Sequence, residues 1–304
     1  MEASMLHIRA KAEDVLQVKV DDVVRVVNVP NNVVYRILVG DQSYIFKTYR
    51  QNDWPEDGKL AFINRKLIEH QIPCARLYAF DRSDSRFPTG YLLEECLRGV
   101  TADRIAYREG SGKEFYAKLA DLVSQVHRIP IENYGYIGSG IANSRSFMGC
   151  MSDKLEEITK NLMAKRAFDK DSLVEIKEQV MDRLRSCDSL PSVLNHGDLS
   201  TKNVMVDERG ELALIDWDDA MAYNWVADIA RMTYWMKFHY DEYDYAVYRN
   251  AFMEQYANGS SVRDFDVLEN TFHVWIGLDH LDYFYGHSRY DGTMEYVKET
   301  IDLW

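Results

Sequence analysis

A chain of 304 residues with 46% apolar and 12% aromatic residues is long enough to bury a sizeable core and exceeds the usual size of one domain, which excludes a disordered chain and favours two lobes. Its formal net charge is −13, and the imbalance falls late: residues 198–304 hold 21 acidic and 8 basic residues, whereas residues 1–197 hold 28 of each. That excludes a nucleic-acid partner, which needs a basic face, and leaves two readings of the acidic end: attraction for a cationic small molecule, or an ordinary solvated surface.

No stretch approaches transmembrane length, and MEASMLHIRAKAEDV at the N-terminus lacks the apolar core of a signal peptide. Cys74, Cys96, Cys150 and Cys187 are scattered without C-x-x-C spacing, the pattern of free thiols in a reducing cytosol. A cytoplasmic monomer is the expectation. There is no internal repeat and no low-complexity segment.

In chain order, residues 10–20 predict a short leading helix. Val23 to Val29, Val33 to Val39 and Ser43 to Tyr49 are rich in β-branched residues and separated by short polar links, predicting an antiparallel meander. On the third strand, alternation puts Ile45, Lys47 and Tyr49 on one face and Phe46 and Thr48 on the other. Glu56 to His70 predicts a helix with Leu60, Ile63 and Leu67 on one face. A strand pair follows, with Tyr91 to Leu97 as its second member and Gly99 after it.

Glu114 to His127 carries Phe115, Leu119, Leu122, Val123 and Val126 at helical spacing, a core stripe. His127 ends that helix, where a structural contact is expected. Between 145 and 187, Arg145 to Lys160 and Ser172 to Arg185 predict the cores of charged helices.

The stretch LNHGDLSTKNVMVDERGELALIDW, residues 194–217, predicts a polar loop followed by a β-hairpin. Val204 to Asp207 is the first strand, Arg209-Gly210 the turn and Glu211 to Ile215 the second strand. With Arg209 and Gly210 central, Asn203 faces Asp216, and Asp198 lies on the loop just outside. An Asp and an Asn offer hard oxygens that suit Mg²⁺, which takes its remaining ligands from water and substrate phosphates. A further Asp is placed to accept a proton from a hydroxyl. That division of labour is the phosphoryl-transfer template.

Beyond the hairpin, Asp228 in ADIA is expected to cap or anchor a helix. The tail is helical and aromatic, with Tyr234, Trp235, Phe238, Tyr240, Tyr243, Tyr245 and Tyr248. In IGLDHLDYFYG, residues 276–286, Asp279 and Asp282 share a helical face.

HGDLSTKN followed by LALIDWDDA resembles the catalytic and metal segments of the aminoglycoside phosphotransferase and choline kinase superfamily. IDWDDAM, the aromatic helix after it and IGLDHL are most similar to hygromycin B phosphotransferases. The resemblance covers roughly residues 20–290 and is strongest over 194–220. It implies an α+β, protein-kinase-like two-lobe fold, with an antiparallel-sheet lobe over 1–97 and a mainly helical lobe over 98–304. It implies transfer of the γ-phosphoryl group of ATP or GTP, with Mg²⁺, to a hydroxyl of an aminoglycoside or aminocyclitol.

By that resemblance Asp198 is the catalytic base, and Asn203 and Asp216 hold the metal. Lys47 binds phosphate as an exposed cleft lysine that contributes little to stability, and backbone groups near Glu95 and Leu97 meet the nucleobase. Apart from the resemblance, the acidic C-terminal end makes Asp218 and Asp219, which follow Asp216 directly, and Asp279 and Asp282, on one helix face, the expected ligands of a cationic acceptor. The chain also departs from the pattern. The Pro30-Asn31-Asn32 link has no glycine where kinases place a Gly-rich loop. Leu60 stands where a glutamate pairs the strand lysine, with Glu56 one turn earlier as the available substitute. Two other readings stay open: a metabolic kinase acting on choline, a homoserine-like compound or a sugar, and a nucleotide-binding pseudokinase. A protein kinase is disfavoured, because no APE-like segment follows Asp216.

Overall fold

The computed structural model describes residues 4–28, 31–105, 112–256 and 264–304. The elements in chain order begin with α1 (Met5–Leu16), β1 (Asp22–Asn28), β2 (Asn32–Val39), β3 (Gln42–Tyr49), α2 (Lys59–Glu69), β4 (Leu77–Asp81), β5 (Tyr91–Glu95) and β6 (Val100–Thr101). Next come α3 (Gly112–Val126), β7 (Tyr134–Ile137), β8 (Ala142–Ser144), α4 (Phe147–Lys165), α5 (Lys170–Arg183) and β9 (Val193–Asn195). The remainder is β10 (Val204–Val206), β11 (Leu212–Leu214), β12 (Met221–Tyr223), α6 (Trp225–Lys237), α7 (Glu242–Gln255), α8 (Phe265–Tyr283) and α9 (Tyr290–Asp302).

The chain forms two compact units. The first comprises Met1–Ala102, Gly138–Gly140 and Val204–Asp218; the second comprises Asp103–Ile137, Ile141–Asn203 and Asp219–Trp304.

In the first unit an antiparallel sheet runs in the order β1-β2-β3-β5-β4. The expected meander is there, with Val34 opposite Lys47 and Lys47 opposite Leu92. One sheet face packs Tyr35, Phe46, Tyr91 and Leu93 on Ile8 and Ala12 of α1. The other sets Tyr49 and Leu92 against Leu60 of α2. The leading helix lies earlier than expected, because the Ser4 hydroxyl caps it by accepting from His7 N–H and Gln17 ends it in the left-handed region. Helix α2 starts at Lys59, later than expected: Gly58 precedes it at φ +77°. Of the glycine-free link, Pro30 lies outside the described residues.

The β10–β11 hairpin pairs Val204 with Leu214 and Val206 with Leu212, one residue off the expected register. Asp207 is the cause. Its carboxylate accepts from Arg209 N–H at 2.8 Å and Glu211 N–H at 2.9 Å, and its carbonyl accepts from Gly210 N–H. With Gly210 at φ +79°, this is a three-residue loop closed by a left-handed glycine, rather than a two-residue turn.

The second unit is mainly helical. Helix α3 packs on α7, α8 lies against α6 and α9, and α4 touches α5 and α8. The stripe from Phe115 to Val126 is buried, as its spacing predicts. A small sheet in the order β8-β7-β12-β9 was not foreseen. Its strands run three or four residues, too short for alternation to register. Among the described residues no helix is long and apolar enough to cross a membrane. The architecture is the α+β, protein-kinase-like fold, with an antiparallel sheet early and helices late.

Candidate active site

In the first unit the chemistry collects around Lys47. Its ammonium group donates to Asp216 Oδ1 at 2.7 Å and to Asp218 Oδ2 at 2.7 Å. Burial alone would depress the Lys47 pKa, but the two carboxylates outweigh it and raise it well above the usual value. Lys47 is only 4% exposed, which corrects the expectation of an exposed cleft lysine. Glu56 is not its partner: Glu56 pairs with Lys59, the first residue of α2. The place left by Leu60 is taken by Asp218.

Asp218 is 2% exposed. Its Oδ1 accepts from Tyr49 Oη at 2.9 Å, and its carbonyl accepts from Lys59 Nζ at 3.0 Å. Both carboxylate oxygens are therefore engaged inside the first unit. Burial raises its pKa, while the Lys47 ammonium pulls it back. Asp216 differs: its side chain stays 43% exposed while holding Lys47, and its backbone sits at φ +63°.

Glu95 and Leu97 lie where β5 ends. Glu95 N–H is taken by Arg76 O and Cys96 N–H by Ser43 O, so Leu97 is the first residue past the ladder. A cavity of about 430 Å³ opens beside them, lined also by Ser43, Met205 and Ala213.

In the second unit the HGD loop leaves β9. Asn203 Nδ2 donates to Asp198 O at 2.8 Å and to Asp198 Oδ2 at 2.9 Å. This fixes the amide so that its Oδ1 is the atom not used on Asp198. The loop backbone is held by Asp228, a buried residue of α6 whose carboxylate accepts from His196 N–H at 2.8 Å and Gly197 N–H at 3.0 Å. His127 Nε2 lies 3.2 Å from the same carboxylate, and its Nδ1 lies 2.6 Å from Tyr256 Oη. Burial would raise the Asp228 pKa, but His127 and His196 hold it below the usual carboxylate value. Asp228 is an anchor, and the cap of α6 is Asn224 instead. Gly197 has φ +80°, and a Cβ there would lie 1.9 Å from Asp219 O, so no other residue fits.

The remaining acids divide. Asp219 is exposed. Asp282 is engaged by Asn161 Nδ2 at 2.9 Å and by the Lys165 ammonium. Asp279 is partly buried. Burial raises its pKa, against the pull of Arg231 and Lys154. These two cations and Asp228's grip on the loop were missed in the sequence, since nothing in the local pattern marks them.

The model of the phosphotransferase enzyme family matches residues 28–265, well over half of the chain. The chain belongs to the phosphotransferase enzyme family. Comparison with curated protein sequences gives no match. Among solved structures, a thermostable mutant of aminoglycoside phosphotransferase APH(4)-Ia, in ternary complex with AMP-PNP and hygromycin B, is similar over 96% of this chain and 95% of its own, with TM-score 0.69 and 16% identity. An ethanolamine kinase from Plasmodium vivax is similar over 93% of this chain and 81% of its own, with TM-score 0.63 and 14% identity. At these identities the likeness is one of fold.

Among the described residues no group of three or more His, Cys, Asp or Glu can hold a metal by itself. The first unit offers the exposed Asp216 carboxylate and the second the Asn203 amide oxygen, each a hard oxygen of the type that Mg²⁺ takes alongside phosphate oxygens.

Proposed function

We propose that this chain is a small-molecule kinase that transfers the γ-phosphoryl group of ATP or GTP to a hydroxyl of a small, amine-bearing, hydroxylated acceptor. The reading is carried by the HGD loop, with Asp198 and Asn203 hydrogen-bonded to each other and the loop backbone fixed on Asp228. Asp198 accepts the acceptor hydroxyl proton as the new P–O bond forms and the bond to the leaving diphosphate breaks. Asn203 and Asp216 hold Mg²⁺, which when bound neutralises charge on the phosphates. Lys47 contacts the phosphates while Asp218 keeps it in place, and the chain near Glu95 and Leu97 meets the base.

Aminoglycosides and aminocyclitols are the acceptors that the sequence resemblance favours. A metabolic acceptor is a second reading, supported by the loss of Asp218 and Asp282 as free anions. The test is a coupled assay of nucleoside diphosphate release over hygromycin-type aminoglycosides, choline-like amines and sugars, with ATP and with GTP. Acceptor-dependent release that Asp198→Asn removes supports the kinase reading. Nucleotide binding without release on any acceptor supports the pseudokinase instead.

A further inference from the structure

In the first unit one carboxylate beside Lys47 has no protein partner. Glu94 of β5 lies opposite Ile45 of β3, and Leu92, two residues earlier, lies opposite Lys47. Residues paired across a sheet share a face, and so do residues two apart on one strand, so the Glu94 and Lys47 side chains leave the same face. Two residues along a strand span about 7 Å, which sets Glu94 between the level of Lys47 and the end of β5. Both line one small cavity, together with Leu92, Cys74 and Asp218. The Lys47 ammonium is taken by Asp216 and Asp218. The half-buried Glu94 carboxylate has neither a hydrogen bond nor an ion pair among the described residues.

The sheet face around Glu94 is open toward the start of β3. Helix α2 covers the Lys47 end, where Leu60 meets Tyr49 and Leu92. Further along, Val34, Ser43 and Ile45 on that face are half-buried, whereas the opposite face buries Tyr35, Tyr44 and Phe46. The 430 Å³ cavity lies next along the same two strands. Glu95, Leu97 and Ala213 line it, while Glu94 and Leu214, their chain neighbours, line the smaller one. The two spaces are thus neighbours, divided between Glu94 and Glu95. The Leu97 N–H, just past the ladder, also has no acceptor among the described residues.

A backbone donor at Leu97 and a carboxylate acceptor at Glu94 offer a flat ligand one group of each kind. The edge of adenine answers both: N1 accepts and the amino group on C6 donates. Guanine inverts both, with a hydrogen on N1 and an oxygen on C6. A carboxylate facing that oxygen repels it, and polar groups left unpaired reject a ligand far more strongly than a lost apolar contact does.

We propose that Glu94 selects the base of the phosphoryl donor: its carboxylate accepts from the C6 amino group of adenine, so that the chain uses ATP and rejects GTP. This rests on the kinase reading above, which leaves the two donors open, and narrows it to one.

Three nucleotides test it: ATP, GTP, and purine riboside triphosphate, which keeps N1 and lacks the amino group. Binding to the full chain with Mg²⁺ is measured by calorimetry at pH 8.5. Burial, against the pull of Lys47, raises the Glu94 pKa to about 7, so the group is ionised there. ATP is expected to bind at least about tenfold more tightly than either of the others, the worth of one hydrogen bond to a charged group. Glu94→Leu should bring ATP and purine riboside triphosphate level. Glu94→Gln, whose amide can donate to an oxygen on C6, should gain affinity for GTP. Circular dichroism confirms the fold of each variant. Equal wild-type binding of ATP and purine riboside triphosphate, a preference that survives Glu94→Leu, or GTP binding as tightly as ATP overturns the proposal. The kinase reading is scored separately by diphosphate release. Acceptor-dependent release with ATP and GTP alike sinks the base selection and keeps the kinase. ATP-selective binding without release on any acceptor does the reverse.

Discussion

Asp218 occupies, in this chain, the place beside Lys47 that a helix glutamate was expected to fill. Its Oδ2 lies 2.7 Å from Lys47 Nζ, and the two residues belong to one compact unit although 171 positions separate them in the chain. The lysine is thereby tied to the segment just after Asp216 rather than to α2.

The pair is buried, so removing one partner strands the other. Lys47→Met should destabilise the protein by about 3–5 kcal/mol, the cost of an uncompensated buried charge. The double variant Lys47→Met, Asp218→Leu should recover much of that loss, because a buried pair replaced by apolar residues is close to neutral. Urea denaturation of the two single variants and the double variant measures the coupling. Equal stability of wild type and Lys47→Met would show that the pair does not hold the unit together.

Asp228 holds the HGD loop through two backbone N–H groups. Asp228→Asn keeps the shape but turns a donor toward those donors. We expect turnover to fall about 10²-fold, the scale of a misplaced catalytic group, with nucleotide affinity little changed. Gly197→Ala should do the same or worse, because its Cβ meets Asp219 O. Steady-state kinetics beside nucleotide titration separate this from global unfolding.

For the reacting groups, Asp198→Asn should cost about 10²-fold or more in turnover and leave nucleotide binding intact. Asp216→Ala should weaken Mg²⁺-dependent nucleotide binding more than Asn203→Ala, since only the carboxylate carries charge. Calorimetry with and without Mg²⁺ compares them. Equal nucleotide affinity for wild type and Asp216→Ala would remove the metal role from this residue.

Acid should weaken the helical unit through His273. It is buried, with Nε2 3.0 Å from Thr233 Oγ1 and Nδ1 2.7 Å from Tyr296 Oη, and burial pushes its pKa down to about 3. The unfolded chain takes up a proton near pH 6.5 that the folded chain refuses. Stability should therefore fall by about 1.4 kcal/mol per pH unit from this group as pH drops from about 6.5 toward 3. His273→Gln should flatten that part of the urea midpoint against pH; an unchanged slope would assign the acid sensitivity to other groups.

The sequence by itself determined the elements that carry a long period. The β1–β3 meander, α2 with Leu60, Ile63 and Leu67, and the α3 stripe each repeat apolar residues over enough turns or strand positions to be read locally. It also determined the HGD segment and its downstream IDW string, whose residues are close in the chain. What only the tertiary structure decided are the partnerships of buried charge. Lys47 with Asp218, and Asp228 with the N–H groups of His196 and Gly197, join residues far apart in sequence. No periodicity encodes them. A buried ion is stable only where its counter-charge or hydrogen-bond partner is brought to it, and that is settled by how the elements pack, not by the neighbours of each residue along the chain.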